Sequence, residues 1–150
     1  MKSLFDPATV QELAARLAEL HPAAARHWGK MNAAQMLAHC CLTMEMALGE
    51  RTAPRTLLGR VFGRLAKKSL LEDGKPMRRN ATSPRLYVVT DARDFAGERQ
   101  RLLALVDRLA AGGPDACTTR PHNFFGRLTP QEWAAFMYVH LDHHLRQFGA

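Results

Sequence analysis

The stretch from Asn32 to Gly49, NAAQMLAHCCLTMEMALG, constrains the fold of this chain more than any other. Asn32 followed three residues later by Gln35 is a capping-box start, and Gly49 is a helix stop. Between them Met36, Leu37, Cys40, Leu42, Met44, Met46 and Leu48 point in nearly every direction around the helix axis. A helix that is apolar nearly all round has to be surrounded by other elements. His39 lies in its middle, with Gln35 one turn before and Thr43 one turn after. An imidazole buried there without a partner would cost about 1–3 kcal/mol.

The surrounding elements read as helices too. Asp6-Pro7 is an N-cap followed by proline at the first helical position, and Val10, Leu13, Leu17 and Leu20 then recur at helical spacing until His21-Pro22. Asp91 or Asp94 caps a further helix with Phe95, Leu102, Leu105, Val106 and Leu109 inward, ended by Gly112-Gly113-Pro114. Thr129, Pro130 and Glu132 open a last helix that runs to Phe148. Pro54 starts a further helical segment in which Leu57, Leu58, Val61, Phe62 and Leu65 form one stripe. We read that stripe as core rather than as a membrane-surface element, with Gly59 and Gly63 weakening the helix by about 1 kcal/mol each. Residues 72–84 have loop composition, and Leu86 to Thr90 reads as a brief extended piece. The expectation is an all-α four-helix bundle in a single domain, residues 1–150, with a short helix or loop insertion.

The last helix carries His140, His143 and His144. His140 and His144 are one turn apart and share a face with Trp133, Met137 and Phe148, so both imidazoles should look into the protein. An i, i+4 pair converges on a single ion, and His39 from the central helix would be the third nitrogen. HExxH is absent. Three imidazoles with open positions would make a catalytic rather than a closed structural metal site. On the residues alone, hydrogen-bonded core or surface histidines stay open as the alternative. His143 lies about 80–100° from the shared face and is left beside the site or at the surface. His122 is a candidate proton carrier at the site mouth, weighed against a role bonding its own loop.

Composition narrows the partners. The net charge is +7 and the pI near 9.9, with much of the excess between Arg51 and Arg85. No aromatic platform interleaves these cations, so an anionic small molecule or a plain basic surface is favoured over nucleic acid. Cys40, Cys41 and Cys117 form neither a disulfide framework nor a CxxC site, and the adjacent pair reads as buried, unreactive thiols. No apolar run reaches the roughly 18–20 residues that span a bilayer, and MKSLFDPATV lacks a signal-peptide core. A cytoplasmic protein without a membrane partner is the expectation, and apolar faces left over from a small bundle would suit a homodimer.

Trp28-Gly29-Lys30-Met31-Asn32-Ala33-Ala34-Gln35-Met36-Leu37-Ala38-His39 is similar to the start of the second helix in the DinB/YfiT-like superfamily. His140-Leu-Asp-His-His144-Leu-Arg-Gln147 resembles the C-terminal HxxxHxxQ element of the same proteins. His122-Asn-Phe-Phe-Gly126, Thr129-Pro130, Trp133 and the run to Phe148 are similar to one DinB-like branch. The resemblance implies an up-down-down-up bundle holding a divalent metal (Zn, Ni or Fe) on His39, His140 and His144. Gln35 stands where many of those proteins have Glu, so no carboxylate role carries over. Better-known members are thiol-dependent transferases and isomerases. The implied activity is transfer of a low-molecular-weight thiol cosubstrate to a small electrophile, with cations of the 51–85 region holding its carboxylates. A hydrolase using metal-bound water, or a non-catalytic metal- or ligand-binding stress-associated protein, is the alternative.

Overall fold

The computed structural model describes residues 1–81 and 85–150, so part of the expected 72–84 loop lies outside the described residues. Five α-helices follow in order: α1 (Pro7–Glu19), α2 (Ala33–Ala47), α3 (Leu57–Lys67), α4 (Phe95–Ala116) and α5 (Pro130–Gln147). A π-helical turn (Lys68–Glu72) continues α3, and a 3-10 turn (Arg85–Tyr87) precedes α4. No helix among the described residues is long and apolar enough to cross a membrane.

The caps form as the residues dictate. Asp6 accepts from the Ala8 amide, and Asn32 and Thr129 close capping boxes with Gln35 and Glu132. Asp94, not Asp91, caps α4 by accepting from the Gly97 amide. At Gly113 (φ 58°, ψ −146°) the regular α4 helix breaks, and Pro114 begins a last short turn.

α2 is the central element, with twelve of its fifteen residues buried. Its main neighbour is α4, and α5 lies on its other side. Cys41 meets Glu98, Glu45 meets Arg101, and Glu50 meets Arg108, so position numbers rise together and α2 and α4 run parallel. Leu4 bonds Ala134 and Arg16 bonds Asp142, which makes α1 and α5 parallel as well. His39 faces both His140 and His144 while Thr43 reaches His140, so α2 and α5 are antiparallel. The bundle is therefore up-down-down-up, and its parallel middle pair needs the long crossover that carries α3. Leu4, Leu13, Leu17, Leu37, Met44, Leu102, Leu109, Trp133 and Met137 fill the core, with essentially no exposure.

Two expectations for the crossover are corrected. Leu86–Thr90 is not an extended piece. Its first residues belong to the 3-10 turn, which buries Tyr87 while Leu86 stays exposed. The apolar stripe of α3 is not core. Leu57, Leu58, Val61, Phe62 and Leu65 are 53–79% exposed, and the residues α3 buries are Gly59 and Gly63. A Cβ at Gly63 would sit 2.1 Å from the Phe124 carbonyl oxygen, and one at Gly59 would sit 2.6 Å from it. The glycines are thus the packing face. Their lack of side chains brings α3 against the 124–125 backbone, and that close approach turns the large apolar groups outward.

Candidate metal centre

The antiparallel contact of α2 and α5 brings His39, His140 and His144 together, at 3%, 6% and 9% exposure. Their ligand-capable nitrogens all lie within 4.8 Å of one another, and the three ring centroids are 4.7–5.0 Å apart. His39 Nε2 lies 3.1 Å from His140 Nε2. Two nitrogens bound to one tetrahedral ion at about 2.1 Å would be separated by about 3.4 Å, so this pair is already near that spacing.

Each imidazole is held from behind by an acceptor. His39 Nδ1 lies 2.7 Å from the Tyr87 carbonyl, which can only accept, so Nδ1 carries the proton. His144 Nδ1 lies 2.8 Å from Gln147 Oε1, and the Gln147 amide donates in turn to the Trp28 carbonyl. That donation fixes which end of the Gln147 amide faces the histidine. Thr43 donates its hydroxyl proton to the Cys40 carbonyl at 2.9 Å, leaving a lone pair for His140 Nδ1 at 3.3 Å. All three Nδ1 atoms are therefore donors, which leaves a lone pair on each Nε2, and the candidate ligand atoms of the three rings lie within 4.8 Å of one another. In this tautomeric state no proton lies between His39 Nε2 and His140 Nε2. Two lone pairs at that distance repel, and a cation between them would relieve the repulsion.

Burial favours the neutral rings. Loss of hydration pulls the His144 pKa down to about 3, with the nearby His39 adding to the effect. The same desolvation lowers His140 well below the usual imidazole range, helped by His144 and His39, and lowers His39 despite the Tyr87 carbonyl. Neutral imidazole is the form that ligates.

Beside the triad lies a cavity of about 380 Å³, walled by Leu58, Tyr87, Phe124, Phe125 and Phe136, with His39, His140 and Thr43 at one side. Met46 also lines a second cavity of about 450 Å³, together with Arg51, Arg55 and Arg120.

The remaining sequence candidates have other surroundings. His122 also lines the apolar cavity, but its Nδ1 accepts from the Phe124 and Phe125 amides at 3.1 Å each. Its ring stacks on Phe125, and burial, followed by the charge of Arg55, lowers its pKa to about 3. In this arrangement it fastens the loop that receives the glycine face of α3. His143 is half-buried, 5.4 Å from the Trp28 ring and outside the triad. Gln35 closes the α2 cap and donates to the Asp91 carbonyl. The Cys40 and Cys41 thiols are buried, and burial pushes Cys41 up to about 12, so both stay protonated.

The Tyr87 carbonyl and Gly29 are the parts of the centre that the sequence did not announce. Gly29 has φ +81°, and a Cβ there would come within 2.4 Å of Gln147 Nε2. A glycine at this position leaves Gln147 room to bridge Trp28 and His144. The placement of Trp28-Gly29 just ahead of the α2 cap was the only trace of this in the sequence.

Fold and centre define an all-α bundle with an interior histidine triad. The chain belongs to the DUF1569 family, described as a protein of unknown function, whose family model matches residues 5–150. No curated protein and no solved structure matches it.

Proposed function

We propose that the protein is a divalent-metal-dependent enzyme acting on a small apolar electrophile, with His39, His140 and His144 as the ligands. The observation that carries this reading is the set of three Nδ1–H donations to Tyr87, Thr43 and Gln147, which leaves three converging Nε2 lone pairs. Among the described residues no donor outside the triad bonds any of the three Nε2 atoms. Imidazole donors suit Zn, Ni or Fe. When bound, such an ion lowers the pKa of a coordinated water or thiol toward neutrality.

The reaction proposed is transfer of a low-molecular-weight thiol, in keeping with the DinB/YfiT-like resemblance of the two histidine blocks. Phe124, Phe125, Phe136 and Leu58 would hold the apolar body of the electrophile next to the triad. Arg51 and Arg120, in the cavity that Met46 also lines, would take the carboxylates of the thiol. Cys40 and Cys41 do not supply the nucleophile, because their burial keeps them protonated.

Metal analysis of untagged protein tests the first step. Near-stoichiometric metal that disappears in His39→Ala and His140→Ala supports the centre, and full metal content in either variant removes it. Conjugation assays with a panel of low-molecular-weight thiols and a test electrophile follow. Metal-loaded protein that conjugates none of them but hydrolyses an ester would redirect the reading to a hydrolase. Inertness in both assays would leave a metal-binding protein.

A further inference from the structure

The outward stripe of α3 is the largest departure from ordinary burial in the molecule. We infer that α3 is a membrane-docking helix that lays Leu57, Leu58, Val61, Phe62 and Leu65 into the surface of an anionic phospholipid bilayer. Three observations point to that occupant.

The first is the arc. At about 100° per residue the five side chains span about 140° of the helix, the width of an interfacial apolar face. Gly59 and Gly63 continue round the helix and bind it to the body of the protein, so the stripe faces outward, with Leu58 at its edge over the apolar cavity.

The second is charge. Between Glu50 and Glu72 there are six basic residues (Arg51, Arg55, Arg60, Arg64, Lys67 and Lys68) and no acidic one. Basic flanks beside a strongly apolar face are the composition of helices that lie in the headgroup layer.

The third is a groove. Arg55, Arg60, Arg64, Lys67 and Arg127 line a cleft of about 430 Å³ between α3 and the 125–127 segment. Lys67 is paired with Glu132, whereas Arg55 Nε is buried without an acceptor among the described residues. Arg55 Nη2 already donates to the Gly59 carbonyl, and a lipid phosphate in this cleft would give Nε its missing acceptor while the acyl region received the stripe.

A second copy of the chain fits less well. A twofold interface brings each patch against itself, so Arg60 and Arg64 would confront their own copies with no carboxylate of α3 to offset them. Leu58 belongs to both the stripe and the wall of the apolar cavity beside the triad. Docking would therefore bring one wall of that cavity to the lipid surface. The docking itself does not depend on the metal centre.

The experiment is co-sedimentation of the full chain with vesicles of phosphatidylcholine alone and of equal parts phosphatidylcholine and phosphatidylglycerol, at low and high salt. Binding to the anionic vesicles, weakened by salt, is expected. Val61→Asp with Leu65→Asp should lower partitioning about a hundredfold or more. Arg60→Gln with Arg64→Gln should lower it about tenfold or more. Both double variants alter exposed side chains, so unchanged thermal unfolding by circular dichroism serves as the control for folding. Three results would overturn the inference: no binding to anionic vesicles at low salt, equal binding to both vesicle types, or binding unaffected by the aspartates. Wild-type dimers that the aspartates dissociate would also overturn it, by identifying the stripe as a contact between copies.

Discussion

The triad wall and α3 break the same rule in opposite directions. Between α2 and α5, three imidazoles are buried among leucines and methionines. On α3, five large apolar side chains lie in the open while two glycines are buried. Inside, every Nδ1 has an acceptor, so the polar groups cost little except where the three Nε2 lone pairs meet. Outside, nothing among the described residues covers the exposed stripe. Both features are unfinished in the isolated chain, the first electrostatically and the second hydrophobically. On the readings proposed above, a cation would complete the first and a lipid surface the second.

The largest expected effect lies at the first of these. His140→Ala removes one of the three proposed ligands, the one whose Nε2 lies 3.1 Å from His39 Nε2, and should abolish metal retention through gel filtration, read by elemental analysis. Thr43→Val tests the outer layer while keeping the shape of the side chain. It leaves His140 Nδ1 without an acceptor and should weaken metal affinity by about 10–100-fold, in a competition titration with a chelating dye. An affinity unchanged in Thr43→Val would mean that the Thr43 bond does not orient His140.

Gly63→Ala attacks the other region at its buried face. The added methyl would overlap the Phe124 carbonyl, which is backbone and cannot rotate away. A loss of about 1–3 kcal/mol in urea unfolding is expected, of the size seen for overpacked cores. A helix-propensity scale predicts the reverse, a gain of up to about 1 kcal/mol for replacing a mid-helix glycine. The sign alone separates the two accounts.

The loop between these regions has its own pH signature. His122 titrates near 6.5 when unfolded and at about 3 when folded, so between those values only the unfolded chain takes up its proton. Its contribution to stability is complete above about pH 6.5 and is lost as the pH falls toward 3. His144 contributes in the same direction. In chelator-treated protein, His122→Asn keeps an acceptor for the Phe124 and Phe125 amides but removes one titrating group. Between about pH 4 and 6 its unfolding free energy should fall less steeply than the wild type's, by about 1.4 kcal/mol per pH unit. Parallel slopes would mean that His122 is not buried as a neutral ring in solution.

The sequence was most legible where local chemistry decides the outcome. Asp6-Pro7, Asn32 with Gln35, and Thr129-Pro130 with Glu132 are caps whose partners lie within three residues, and each formed. The all-round apolarity of α2 announced a central helix, and the i, i+4 spacing of His140 and His144 announced a shared inward face. What stayed hidden depends on distant backbone. The acceptor for His39 is the carbonyl of Tyr87, a group every residue has, so no residue type could mark it. The inversion of α3 depends on the Phe124 backbone, 61 positions beyond Gly63. Periodicity identified the amphipathic helix correctly. It could not say which face the body of the protein would accept, because two glycines offered closer contact than five bulky side chains.

The smallest expected effect is the most direct check on that inversion. Val61→Ser and Phe62→Ser each remove apolar surface from the middle of a helix, and in a core position such changes typically cost several kcal/mol. At 72% exposure Val61 loses little hydration on folding, so Val61→Ser should stay within about 0.5 kcal/mol of wild type in urea unfolding, and Phe62→Ser, at 53% exposure, within about 1 kcal/mol. The comparison with Gly63→Ala then runs against intuition, with the methyl added to a glycine doing more harm than the phenyl ring removed. A cost above about 1 kcal/mol for Val61→Ser at low protein concentration would mean that the stripe is covered by the chain's own body in solution, and the outward reading of α3 would fall.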